Sequence, residues 1–214
     1  MSNKIFKVPL EKNPRIEITV LSGHFTASNL HVNHHFDISS MKSSATMARD
    51  IAREMAIPYM SSAHVDTVVC MDKTETIGAL LANELLSGGV NSGSEMHVVT
   101  PIRDVNNNLI FNDSTLDKIT NRSVILLVGM VITGRAVARA MECLEYYSAS
   151  VVGISGLFMA LHDGQKHAVN ALFTSDDAIG YQMYSPNQCE MCKAGMPLDA
   201  IINTEGYTYL RGRS

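Results

Sequence analysis

The sequence lacks a surplus of charge in either direction. Seventeen Lys and Arg face twenty-one Asp and Glu, for a formal net charge of −4. No Lys/Arg-rich tract or charge block stands out, so the basic footprint of a nucleic-acid binder is missing. Long apolar runs are missing too. The longest, around residues 124–132, falls well short of the roughly 20 residues that a membrane helix needs. Four cysteines in 214 residues are too few for a disulfide framework. The opening stretch MSNKIFKVPLEKNPRIEITV has neither a long apolar core nor a small-residue cleavage site, so no signal peptide is expected. A cytoplasmic protein with reduced thiols is the expectation. Internal repeats and low-complexity segments are also absent.

What is present is an ordinary globular composition, 46% hydrophobic and 18% charged. At roughly 100–200 residues per domain, the chain makes one domain with an appendage, or two small ones. Its length suffices to bury a large core without disulfides. Ala45, Ala48, Ile51, Ala52 and Met55 recur at helical spacing, which predicts an amphipathic helix over residues 42–55, with Pro58 just beyond as a stop. VDTVVC, residues 65–70, reads as a buried strand. A turn, MDKTE, leads into a helix over 76–86 with Ile77, Leu80, Leu81 and Leu85 on one face. Residues 97–100 and 109–111 read as short strands around a turn at 106–108. SVILLV is another buried strand, Val137, Ala140, Met141 and Leu144 form a helical stripe, and residues 148–160 form a further strand. Strands alternating with helices predict an α/β fold with a parallel sheet and right-handed crossovers.

The turn between SVILLV and its helix has a shape suited to phosphate. Gly134 lets the backbone approach a ligand closely. The free N–H groups of Thr133, Gly134, Arg135 and Ala136 point outward at the positive end of a helix dipole, and Arg135 adds a formal charge. Alone this signal is weak, because glycine at a strand–helix junction is commonly just a turn residue.

The order of segments adds to it. LSGHFTASN supplies a Ser-Gly-x-x-Ser/Thr stretch through Ser22, Gly23 and Thr26. A helix follows, then VDTVVCMDKTETIGALLANEL, a hairpin region, and VILLVGMVITGRAVARAMECL. Over residues 15–175 this arrangement resembles the type I phosphoribosyltransferases, and within them the orotate phosphoribosyltransferases. The C-terminal CxxC and the ending AIINTEGYTYL suggest an orotate phosphoribosyltransferase-like subfamily with a degenerate motif for phosphoribosyl pyrophosphate (PRPP). The resemblance implies a twisted parallel sheet flanked by helices. Residues 1–41 would form an N-terminal hood, 42–175 the core, and 176–214 a C-terminal CxxC extension packed on the core. It implies a ribose 5-phosphate site at Thr133, Gly134, Arg135 and Ala136, a pyrophosphate loop at Asp72, Lys73 and Thr74, and a substrate-side hood at Ser22, Gly23 and His24. It also implies Mg²⁺ accompanying PRPP, and a homodimer. A plain surface turn capped by Thr74 is the alternative for residues 71–75.

Three departures from the family pattern bear on activity. Where the family carries two acids before its Thr-Gly turn, VGMVITG is one residue short and has none. Gly129 and Met130 take those places when aligned from the strand, Val128 and Gly129 when aligned from the glycine. The Lys/Arg/His-rich catalytic loop is replaced by TPIRDVNNNLIFND, in which Arg103 is the sole basic residue. In the hood, the family's Lys and Arg around Ser-Gly become Leu21 and His24.

Two further groups carry ligand-type side chains. His24, His31, His34 and His35 make a local excess. A metal needs three or four convergent ligands, and adjacent His34 and His35 point to opposite faces of a strand, so a solvated or hood-lining role is favoured. Cys189 and Cys192 form one CxxC, two of the four ligands a zinc site requires. Cys70, Cys143, His162, His167 or a partner chain would have to complete it, and a packed tail without Zn²⁺ is the expectation. Two readings follow. One is a transferase moving phosphoribosyl from PRPP to a nucleobase, with orotate as the family default. The other is a non-catalytic nucleotide- or phosphosugar-binding protein that kept the phosphate turn.

Overall fold

The computed structural model describes residues 4–27, 29–61, 63–106, 108–160, 166–203 and 206–210. In chain order the elements are β1 (Ile5–Leu10), β2 (Asn13–Ala27), β3 (Leu30–Asp37), α1 (Ser39–Ser43), α2 (Ala45–Ala56), β4 (Thr67–Cys70), α3 (Glu75–Leu86), β5 (His97–Val99), β6 (Ile102–Arg103), β7 (Leu109–Ile110), β8 (Ser123–Val131), α4 (Arg135–Tyr146), β9 (Ser150–Met159), β10 (Asn170–Thr174), β11 (Met183–Tyr184), α5 (Glu190–Lys193), β12 (Ala200–Asn203) and β13 (Gly206–Tyr209). Among the described residues, no helix is long and apolar enough to cross a membrane.

The core is a five-stranded sheet in the order β10-β9-β8-β4-β5, with every neighbouring pair parallel. This is the parallel α/β arrangement that the strand–helix alternation predicts. The central strands read as unbroken apolar runs because both faces are covered; Val124, Ile125, Leu126 and Leu127 are fully buried. The helix expected over 42–55 is two helices. Ser44 adopts an extended conformation between them, and its hydroxyl accepts from the Met47 amide at 3.3 Å, capping α2. Strand β8 runs past SVILLV through Gly129 and Met130, because its pairing with β9 continues to Met130↔Phe158 and Val131↔Met159.

A second sheet, in the order β11-β3-β2-β12-β13 with β1 also on β2, is built from both ends of the chain. Residues after 176 therefore add strands to the sheet begun by β1–β3. β12 lies parallel to the end of β2, pairing Ala200↔Phe25 and Ile201↔Thr26. The β2–β3 register shifts between Ser22 and Phe25, a bulge that re-aims Gly23 and His24.

The two sheets meet through aromatics. Phe36 of β3 stacks on Phe158 of β9 with ring centroids 3.9 Å apart, and Tyr181 packs edge-on against both. Both phenylalanines are essentially inaccessible to solvent. Phe36→Ala should cost about 3–5 kcal/mol in urea denaturation, because the cavity opens at the seam between the sheets. A loss under about 1 kcal/mol would show that the seam does not hold them together.

Candidate functional site at the end of the central strand

Residues 132–134 follow β8 at the C-terminal edge of the parallel sheet, where ligands bind in open α/β sheets. Gly134 caps α4 with φ 72°, a left-handed conformation, and no side chain caps the helix. The first-turn amides of α4 are thus presented outward at the positive end of its dipole. Thr133, Gly134, Arg135 and Ala136 line a cavity of about 330 Å³ that also takes in Arg103 and Arg139. Lys166 and His167 border a second cavity of about 190 Å³ on the same turn. The Arg135 guanidinium donates to the Thr133 hydroxyl at 3.3 Å. Arg139 is a cation the sequence reading missed, although it lies one helical turn after Arg135 and shares its face.

The turn after β4 reaches the same strand end. Asp72 and Lys73 both have positive φ, 56° and 60°, uncommon for residues with side chains and characteristic of functional turns. The Lys42 ammonium donates to the Asp72 carbonyl at 2.9 Å. Asp72 Oδ2 accepts from the Gly129 amide at 3.1 Å and the Met130 amide at 3.5 Å. Burial pushes this carboxyl up from its ordinary range, opposed by those two amides and by the charges of Lys42 and Arg103. A Cβ at Gly129 would sit 2.9 Å from both Asp72 Cβ and Ile38 Cδ1. The backbone at Gly129 and Met130 is therefore covered by an acid from the neighbouring turn. Thr74, in the same turn, is buried, and its hydroxyl donates to the Met71 carbonyl at 2.8 Å. It stands at the N-cap of α3 without capping through its side chain. Glu75 accepts from the Thr100 hydroxyl at 2.9 Å.

A third cavity, about 320 Å³ and largely apolar, lies between the two sheets. Val32, His35 and Phe36 wall it on one side, Met130, Thr133 and Phe158 on the other. Thr133 borders all three cavities. His35 is 2% exposed, and neither ring nitrogen has a hydrogen-bond partner among the described residues. Burial lowers its pKa to about 4, with Asp37 opposing. The ring is thus neutral near pH 7, with one donor and one acceptor unmatched. Buried polar groups of this kind cost about 1–3 kcal/mol unless something meets them.

The Ser22–Gly23–His24 stretch packs against the C-terminal segment. The Gly23 backbone passes so close to its neighbours that a Cβ would lie 2.7 Å from Phe25 and 2.8 Å from Asp199 Oδ2. The His24 amide donates to Asp199 at 2.8 Å. Ser22, Gly23 and His24 border a separate cavity against Met191, Met196 and Asp199, and none of the three cavities at Thr133. The bulge also holds the C-terminal segment, through the His24 amide on Asp199. Cys189 and Cys192 meet His24 and His31. Of the solvated or hood-lining role expected of the histidines, the solvated one does not hold for His31, which is buried. Cys70 lies in the core, Cys143 donates to the Leu109 carbonyl, and His167 borders the Thr133–Gly134 turn. His162 lies outside the described residues.

Two outcomes follow from this geometry. Gly129→Asp should destabilise by about 1–3 kcal/mol through overlap with Asp72, and adding Asp72→Gly should recover at least about 1 kcal/mol, read as the coupling in a double-mutant cycle. Strict additivity would refute the close approach. His35 gives a pH signature. The unfolded chain protonates it near pH 6.5 and the folded chain only near 4, so it removes stability progressively as pH falls through that window. His35→Phe should flatten the melting-temperature decline between about pH 6.5 and 4; an unchanged slope would refute the buried, unpaired ring.

No protein-family model matches the chain. Among curated proteins it is similar to orotate phosphoribosyltransferases from two strains of Chlorobium phaeobacteroides. Each is 23% identical, over 184 and 182 residues, covering 85% of this chain and 88% of the relative. Among solved structures it superposes on Leishmania donovani UMP synthase with a TM-score of 0.54 and 18% identity. That match covers 73% of this chain but 34% of the synthase, so the chain spans about a third of that protein. It also superposes on the orotate phosphoribosyltransferase of Mycobacterium tuberculosis H37Rv in complex with Fe(III) dicitrate. There the TM-score is 0.52 and the identity 12%, covering 75% of this chain and 91% of that one. The parallel core and the second sheet thus have the fold of the type I phosphoribosyltransferases, and over 85% of its length the chain is similar in sequence to orotate phosphoribosyltransferases.

Proposed function

We propose that this protein binds PRPP at the end of β8 and transfers its phosphoribosyl group to a base held between the two sheets, releasing pyrophosphate. The observation that carries the reading is the convergence of three cavities on Thr133. An anion-binding turn with Arg135 and Arg139 opens directly onto an apolar cleft containing a neutral, unpaired His35. The 5-phosphate sits on the amides of Thr133, Gly134, Arg135 and Ala136. In the transition state the sugar gains positive charge and the pyrophosphate negative charge. Arg103, brought to the cavity by β6, faces the second, and Asp72 supplies a carboxylate beside the first. Lys73, in the same strained turn as Asp72, remains a candidate pyrophosphate contact.

The cleft favours a neutral base over carboxylated orotate. His35 is uncharged near neutral pH, and the wall residues Val32, Phe36, Met130 and Phe158 have no cation to meet a carboxylate. Its ring offers one donor and one acceptor to the edge of a heterocycle. The donor set suits a Mg²⁺ carried in on substrate oxygens and water, which neutralises the pyrophosphate. Among the described residues, those lining the turn cavities include no carboxylate, and Asp72 Oδ2 is committed to two amides.

A second reading, a sensor that binds without turnover, draws on the same commitment of Asp72 and on Arg103 being the one basic residue in the 100–113 segment. Calorimetric titration with PRPP, with and without Mg²⁺, tests the site. Binding should weaken at least about tenfold in Gly134→Asp, which forces a side chain into a left-handed position and adds negative charge at the helix start. No binding at millimolar PRPP would overturn the site. Pyrophosphate release across a nucleobase panel then separates enzyme from sensor, and release with orotate alone would overturn the neutral-base assignment.

A further inference from the structure

We propose that His24, His31, Cys189 and Cys192 form a structural zinc site that clasps the C-terminal segment to the β2–β3 hairpin. The four ligand atoms all lie within 4.8 Å of one another. His24 Nε2 is 3.1 Å from His31 Nδ1, 3.5 Å from Cys189 Sγ and 3.6 Å from Cys192 Sγ, and Cys192 Sγ is 3.3 Å from His31 Nδ1. A tetrahedral zinc with ordinary bond lengths needs nitrogens about 3.3 Å apart and nitrogen–sulfur separations of about 3.6 Å. The observed edges match within a few tenths of an ångström.

The surroundings suit a ligand set. His24 Nδ1 lies 2.9 Å from the Met196 carbonyl. Donating there, it turns the lone pair of Nε2 toward the two sulfurs, the outer-shell arrangement typical of metal-bound histidine. Cys189 precedes the short helix α5 and Cys192 lies within it; Gly195, at φ 71°, turns the chain back. His24, His31 and Cys189 are buried and Cys192 is at the surface. Two imidazoles and two thiolates suit zinc among the divalent ions, and four protein ligands leave no open position, so the role is structural.

The location says what is held. His24 and His31 flank the turn of the β2–β3 hairpin, and Cys189 and Cys192 lie between β11, which pairs with β3, and β12, which pairs with β2. Ala27, Val32 and Ile202, from the two segments so joined, all border the cleft between the sheets. The metal thus fixes the roof of that cleft, whatever reaction takes place beneath it.

Metal analysis of protein purified without a metal-affinity step should find one zinc per chain, falling below about a tenth of that in the paired variant Cys189→Ser, Cys192→Ser. Wild-type protein loaded with Co²⁺ should show the intense visible bands of a tetrahedral site and thiolate-to-cobalt charge transfer. His31→Cys should retain the metal, whereas His31→Ala should not. Chelation of the wild type should abolish amide-exchange protection at residues 25–27 and 200–202 while β8 stays protected. A wild type that takes up no zinc under reducing conditions, a weak octahedral cobalt spectrum, or zinc unchanged in the paired variant would overturn the site. Unchanged protection after zinc removal would overturn the clasp.

Discussion

Strand β8 is paired in parallel on both edges, with β4 along residues 124–127 and with β9 from Ser123 to Val131. The remaining geometry depends on that double pairing. With both edges engaged and both faces covered, the strand cannot shift, so the point where pairing ends is fixed. The next residues must leave the sheet at one place, over the ends of β4 and β9. There the β4–α3 turn can lay Asp72 across the Gly129 and Met130 amides. The helix after β8 starts from the same point, so the turn that opens it borders the cleft between the two sheets through Thr133.

Gly129 leaves no room for a side chain at its position. Gly129 is in a strand whose neighbour leans over it; a side chain there meets Asp72 and Ile38 at 2.9 Å. Carboxylate on the strand and carboxylate from the adjacent turn exclude each other sterically and by charge. The chain has the second. Its buried position disfavours ionisation, while the two amides and the charges of Lys42 and Arg103 favour it.

Local patterns in the sequence were enough for most of the core, though not for its edge strand β10. Periodicity located β4, α3, β8, α4 and β9, and the Thr-Gly junction was legible because its signal is contiguous. The α1–α2 break was not, since both helices lie within one continuous apolar stripe and only the Ser44 cap divides them. The alternation of β3 separates His34 from His35, yet it does not say that His35 is the one turned into a closed cleft. Distance in the chain hid the rest. His24 meets Cys189 across 165 positions and Asp199 across 175, so no spacing rule could pair the CxxC with its histidines or recast Ser22–Gly23 as an anchor. The pairing of β12 with β2 is equally non-local.

That pairing has a consequence for how the molecule comes together. The end of β2 has β12 as its neighbour on one edge, and β12 begins at residue 200. During synthesis from the N-terminus, the first hairpin emerges early but waits for almost the whole chain before that edge is covered. The five-stranded core, complete by residue 174, can consolidate first. The strand edge at Phe25–Ala27 stays open in the interval, and such edges recruit other chains. Slow arrival of the last strands would therefore appear as loss of yield to aggregation before it appeared as loss of equilibrium stability.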